Sequence, residues 1–152
     1  MSKLRSFIVY WLPVLLVMIM IFGGSADAAS GPHSSRIVGP LLRWLFPDIS
    51  KEGMDLGVLL ARKCAHLTEY AVLALLIWRA LRQPRRGLNP TWLWCTAGEA
   101  LWLAVFYAST DEFHQTFVPT REGCVRDVII DTSGATAGLL ALWVLGRLIK
   151  WW

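Results

Sequence analysis

A chain of 152 residues that is 55% hydrophobic and holds nine Trp, with a mean hydropathy of +0.48, has one domain's worth of residues and too much apolar surface for an ordinary soluble core. Its formal charge of +4 does not point to nucleic acid, because the basic residues sit at the ends of apolar runs and form no separate polar stripe. Cys64, Cys95 and Cys124 show no CxxC spacing, so they read as small buried apolar residues and not as a zinc motif or disulfide framework; a Cys64–Cys124 pair facing an oxidising compartment is the alternative.

The first element is an unbroken apolar run from Phe7 to Phe22, preceded by Lys3 and Arg5 and followed by Gly23, Gly24 and Ser25-Ala26-Asp27-Ala28-Ala29. Two readings fit residues 1–28. A charged start, an apolar core and an Ala-x-Ala ending at Ala28 describe a cleavable signal peptide. A retained transmembrane helix is favoured, because the run exceeds the usual signal core of roughly 7–15 residues and Pro13 is tolerated in membrane helices.

Ala29 to Asp55 mixes Gly, Ser, Pro and charge around the short apolar segment Ile37 to Phe46. This segment is too short to span a bilayer. With Arg43, Trp44 and Phe46 it reads either as a loop dipping into the headgroup interface or as a loop packed over helix ends.

Leu56 to Leu81 predicts the next helix. At about 100° per residue Lys63, His66, Glu69 and Tyr70 fall within an arc of about 120°, so they share one face directed into a bundle. A basic turn follows, with Arg79, Arg82, Arg85 and Arg86. Thr91 to Thr110 predicts the third span. Its Glu99 lies about 18 Å along the helix axis from Asp111 and reads as a protonated or internally paired structural carboxyl.

The stretch from Ser109 to Asp127 then concentrates Asp111, Glu112, His114, Gln115, Arg121, Glu122 and Asp127 between two long apolar runs. Polar clusters between membrane-length segments are expensive to bury, and by default they mark function. Asp111 has helical spacing to both His114 and Gln115, so one further turn of the third helix would point them together. Pro119-Thr120-Arg121 marks a break and Gly123 permits the turn into the last span.

Val128 to Ile149 is that span, entered through Asp127. Asp127, Asp131, Gly134, Gly138 and Ala141 lie within about 80° of one another on a helix. The stripe is charged at its start and small thereafter, and the Gly134-x-x-x-Gly138 step suits close backbone approach. It is expected to pack inward and carry both aspartates to the polar cluster.

Lys3, Arg5, Arg79, Arg82, Arg85, Arg86, Arg147 and Lys150 flank one set of helix ends with no acid among them, which makes that side cytoplasmic. Trp78, Trp92, Trp94, Trp151 and Trp152 fall at the same boundary, as an aromatic belt. The expected fold is therefore an all-α membrane protein with four transmembrane helices, both termini inside, and a polar vestibule on the extracytoplasmic side.

The pieces Lys63-x-x-His66-x-x-x-Tyr70, Asp111-Glu112-x-x-Gln115, Phe117-x-Pro119-x-Arg121, Asp127 and Gly134-x-x-x-Gly138 resemble, in order, the VanZ-like family of bacterial membrane proteins. They span the motif-bearing core within residues 56–152 and read as one domain with the first helix. The resemblance implies a small multi-helix membrane fold in the bacterial plasma membrane and, through the family's namesake, a link to resistance against the glycopeptide teicoplanin. Thr120 stands where the family's Pro-Gly-Arg turn has Gly, and Asp131 where Asn is expected.

Three readings of the cluster follow. In the first, Lys63, His66, Tyr70, Asp111, Glu112, Gln115, Arg121, Asp127 and Asp131 engage a membrane lipid or lipid-linked cell-wall precursor, with Lys63 and Arg121 on phosphate. In the second, His66 or His114 acts as general base on a lipid-linked phosphate, oriented by Asp111 or Asp127, with Arg121 stabilising developing negative charge. In the third the charges neutralise one another and pin helix register. A metal site from His66, Glu69, Asp111 and His114 lacks HExxH or similar ligand spacing, and no cofactor is indicated.

Overall fold

A computed structural model describes residues 3–26, 30–83, 91–118 and 123–152. Among these residues the chain is all helical: α1 (Lys3–Tyr10), α2 (Leu12–Ala26), α3 (Ser30–Leu45), α4 (Lys51–Arg82), α5 (Trp94–Gln115) and α6 (Val125–Leu148). Every other helix packs on α4, and α5 and α6 also pack on each other.

The apolar run at the start is one bent unit. Leu4–Tyr10 and Leu12–Ser25 meet at 43°, and Pro13 accounts for the break. Lacking an N–H, it cannot bond the carbonyl of Val9 four residues back. That carbonyl instead accepts from Arg79 Nη1 at 3.1 Å, and the Arg79 guanidinium also lies 5.1 Å from the centre of the Tyr10 ring. A proline defect is thereby converted into a tie to the end of α4.

Between this unit and α4 the expected loop is in fact mostly helix α3. Its apolar residues recur at helical spacing, and that pattern outweighed the Gly, Ser and Pro content of the segment. Helix α4 begins at Lys51, five residues earlier than Leu56, because Ser50 caps it by accepting from the Gly53 N–H at 3.1 Å. The charged residues Lys51, Glu52 and Asp55 resemble loop composition but suit an exposed first turn.

Helix α5 runs five residues past Thr110, so Asp111, Glu112, His114 and Gln115 all lie on it. Helix α6 starts at Val125 and not Val128. The small-residue stripe does pack inward: a Cβ on Gly134 would come within 2.8 Å of Leu67 Cα, and one on Gly138 within 2.9 Å of Ala71 Cβ. Glycine is required at both places for α4 and α6 to approach. The inward stripe stops at Gly138, since Ala141 is exposed.

Two helices, α4 and α6, are long and apolar enough to cross a membrane, and the bent α1–α2 unit makes a third if it counts as one span. The sequence reading expected four. Helix α5 has the length, at 22 residues, but Glu99 and the polar residues of its last turns dilute its apolar character.

Two further expectations are corrected. All three cysteines are free and exposed, so they are neither buried filler nor a Cys64–Cys124 disulfide. Glu99 is exposed and has no hydrogen-bond or ion-pair partner among the described residues, so it is not paired inside the bundle. It lies five residues into α5, and a helical side chain leans toward the N-terminus. Its carboxyl therefore leans toward the Trp94 level, as snorkelling side chains do.

Candidate functional site

Because α5 runs antiparallel to α4 and α6, the polar parts of all three helices gather at one end of the bundle. Trp78, Trp92, Trp94, Trp143, Trp151 and Trp152 gather at the other. Helix α4 contributes Lys63, His66, Glu69 and Tyr70; the last turns of α5 contribute Asp111, Glu112, His114 and Gln115; the first turns of α6 contribute Asp127 and Asp131.

The outermost contact is an ion pair, Lys63 Nζ to Asp127 Oδ1 at 2.5 Å, with the two side chains still 30% and 28% exposed. One turn further along each helix, His66 Nδ1 faces Asp131 Oδ1 at 3.6 Å. That separation exceeds a hydrogen bond. Asp131 is only 1% exposed, yet neither of its carboxylate oxygens has a hydrogen-bond partner among the described residues. The neighbouring Tyr70 is fully buried and its hydroxyl is likewise without a partner, although it sits within electrostatic reach of the carboxyls of Asp111, Asp131 and Glu112. Buried polar groups are normally satisfied, so these are the anomalous atoms of the bundle end.

The α5 carboxyls are the opposite case. Asp111 accepts from Ser25 Oγ at 2.5 Å and from Gln115 Nε2 at 3.1 Å. Glu112 accepts from the same Gln115 amide at 3.2 Å and from the backbone N–H of Cys124 at 3.0 Å. Gly123 makes the last bond reachable, since a Cβ there would collide with the Glu112 carbonyl oxygen and with Thr116 Cγ2 at 2.7 Å. One amide thus bridges two acids, and the pair ties α5 to α2 and to the start of α6.

His114 shares the turn with Asp111 but does not join it. Its ring lies against Phe22, centroids 4.4 Å apart, and its Nδ1 has no hydrogen-bond partner among the described residues. Glu69 is half-buried, within electrostatic reach of His66, Asp131 and Asp111. Arg121, with Pro119, Thr120 and Glu122, lies outside the described residues. No three His, Cys, Asp or Glu among the described residues are placed to hold a metal ion, so His66, Glu69, Asp111 and His114 do not form one there. The imidazole that meets a carboxylate is His66, and its partner is Asp131 and not Asp111 or Asp127.

Two residues bonded at or near the polar end carried no role in the sequence reading. Ser25 sits in a small-residue tail that looked like a cleavage site, and nothing local announces its bond to Asp111. Tyr107, whose hydroxyl donates to the Met18 carbonyl at 2.5 Å, was legible: it precedes Asp111 by one helical turn and so shares its face.

A family model described as VanZ/LLP1 matches residues 7–146, nearly the whole chain and every motif at this end of the bundle. The protein belongs to the VanZ/LLP1 family. No curated protein and no solved structure matches it. For this VanZ/LLP1 chain, family membership and helices of membrane-crossing length together make it a membrane protein. The match begins at Phe7 and so includes the bent first unit, whose Ser25 reaches the α5 acids.

Proposed function

We propose that this VanZ/LLP1 protein engages the head group of a cell-envelope lipid, such as a lipid-linked cell-wall precursor, at the outer leaflet of the bacterial plasma membrane. One observation carries the reading. A fully buried Tyr70 hydroxyl and an Asp131 carboxylate, 0% and 1% exposed, lack hydrogen-bond partners among the described residues, with His66 at 3.6 Å facing Asp131, one to two turns beneath an ion pair that still faces outward. An aspartate left in that state costs stability, and such costs are retained where a ligand repays them.

Charge decides which part of a ligand goes where. Glu69, Asp111, Glu112, Asp127 and Asp131 gather at this end with Lys63, His66 and His114, while Arg62 and the exposed Arg126 are further cations there. The interior therefore suits hydroxyl, amide or ammonium donors, and a phosphate suits the mouth, at Lys63. Arg121, six residues before Asp127 in the sequence, would add a planar fork for that phosphate.

The topology that goes with this reading has four spans. Helix α5 at 22 residues is about 33 Å long at 1.5 Å per residue, enough for a hydrocarbon core of about 30 Å. Basic residues with no acids mark the tryptophan end as cytoplasmic, with both chain ends there. Single cysteines at Gln83 and Glu122, in a background without native cysteines, should react with an impermeant thiol reagent from opposite sides of the membrane.

Native mass spectrometry of the purified protein against a polyprenyl-diphosphate-linked saccharide and a phosphatidylcholine tests the binding. Retention of the first through Lys63 and Arg121, lost in Arg121→Lys, supports the reading. Equal retention of both lipids, or full binding by Arg121→Lys, contradicts it. A glycopeptide-resistance role would add reduced teicoplanin survival on deletion of the chromosomal copy.

The facing of His66 by Asp131 favours one alternative, a membrane enzyme in which His66 is the general base and Asp131 orients it. Phosphate release from a polyprenyl diphosphate, absent in His66→Gln, would establish that activity over simple binding.

A further inference from the structure

Helix α3 has three faces. Toward α4 it presents Gly39 and Leu42: a Cβ on Gly39 would touch Met54 Sδ at 3.9 Å, and one on Gly57 would come within 2.6 Å of Leu42 Cδ1. Away from α4 it leaves Ile37, Leu41, Trp44 and Leu45 exposed, Ile37 and Trp44 to 77%, at the i, i+4, i+7, i+8 spacing of one helical stripe. Arg36 and Arg43, both exposed, lie two turns apart on the polar side of the helix, roughly 80–180° from the members of that stripe at 100° per residue. No acid occurs between Ser30 and Phe46.

A water-exposed apolar stripe of this kind is costly. The stripe is too short to cross a bilayer and points away from the bundle, and it is followed by the exposed charges Lys51, Glu52 and Asp55 at the start of α4. We propose that α3 is a membrane-surface anchor, lying in the headgroup layer of a bilayer that contains anionic phospholipid, with Ile37, Leu41, Trp44 and Leu45 in the acyl boundary and Arg36 and Arg43 on lipid phosphates. The purely basic flank is the complement of anionic headgroups, Arg forks suit phosphate, and Trp is a residue of that interface. This site is separate from the Lys63–Asp131 end. Because Leu42 sits on Gly57 and α4 carries Lys63 six residues later, the anchor also fixes the depth at which that end meets the bilayer.

The test uses the full chain with Cys64, Cys95 and Cys124 replaced by Ser, a nitroxide on a single cysteine at position 37 or 41, and vesicles of phosphatidylcholine with or without phosphatidylglycerol. Oxygen and nickel-chelate accessibility should place both labels about 5–10 Å below the phosphates, deeper with phosphatidylglycerol, and Arg36→Gln with Arg43→Gln should abolish the lipid-dependent part. Labels open to the nickel chelate in both vesicles overturn the proposal. So does dipolar coupling between labels on two copies, which would make the stripe a self-association surface, or a depth indifferent to phosphatidylglycerol and to both arginines. A label at Lys51 should remain in water throughout and reports that α4 is correctly placed.

Discussion

The two ends of the bundle are assembled from the same three helices and solve burial in opposite ways. At the tryptophan end, the Trp78 ring stacks on Trp92 at 5.2 Å and meets Trp152 edge-on at 6.1 Å, with the Arg82 guanidinium 4.9 Å from the Trp78 ring. Trp152 also donates to the Trp143 carbonyl at 3.3 Å and fits only because Gly146 has no side chain. The atoms left unpaired there are indole N–H groups of Trp78 and Trp92, among rings whose burial outweighs them. At the polar end the atoms without a hydrogen-bond partner among the described residues are the Asp131 carboxylate, the Tyr70 hydroxyl and the Nδ1 atoms of His66 and His114, and a buried carboxylate is the costliest of these. One end is built for cohesion. The other gives up cohesion at specific atoms, which is what a binding site requires.

The largest test of this contrast is Trp78→Ala. It removes a ring that is 5% exposed from two aromatic neighbours and the Arg82 guanidinium, and truncations of this kind cost about 3–5 kcal/mol. Folded yield in detergent should collapse. Survival with near-normal yield would mean the tryptophans only float at the interface.

Within the polar end, Asp111→Ala should be next. It leaves Ser25 with only the Phe22 carbonyl at 3.1 Å and removes one of the two acceptors of the Gln115 amide, at about 1–3 kcal/mol, and it should loosen α2 from α5, read as faster proteolysis near Gly23. Asp111→Asn keeps an acceptor for Ser25 and should lose less. The Lys63–Asp127 pair is weaker because it remains partly exposed: Asp127→Ala should cost at most about 1 kcal/mol, and Asp127→Asn less, by thermal unfolding.

The finest comparison uses two tyrosines. Tyr107→Phe breaks a bond to Met18 and should cost about 0.6 kcal/mol, the mean for such bonds within membranes. Tyr70→Phe breaks none and should leave the melting temperature unchanged or slightly raised. Equal losses would show that the Tyr70 hydroxyl is bonded after all.

How much of this was legible depended on range. The face Lys63, His66, Glu69 and Tyr70 and the small stripe Asp127 to Gly138 follow from helical angle alone, and the structure brings them together. The family motifs added the order of the pieces. What failed was the assignment of Lys51-Glu52 to a loop, since Ser50 supplies a helix cap there; the helical spacing of Asp111, His114 and Gln115 had allowed one further turn of α5, which the Gln115 bridge to both acids stabilises. Pairings across the fold were beyond reach. That His66 meets Asp131 and His114 meets Phe22 depends on helix rotation, and a one-residue turn of about 100° would exchange them. Ser25, 86 residues from Asp111, carried no signal at all.

The most direct test of the central claim is Asp131→Asn, measured for both stability and ligand retention. The substitution removes a buried carboxylate that has no hydrogen bond among the described residues, with almost no change of shape, so the cost of burying a charge disappears. The account predicts an unchanged or higher melting temperature together with loss of the polyprenyl-diphosphate-linked saccharide in native mass spectrometry. A lower melting temperature with ligand binding intact would contradict it, and would make Asp131 a structural partner of His66.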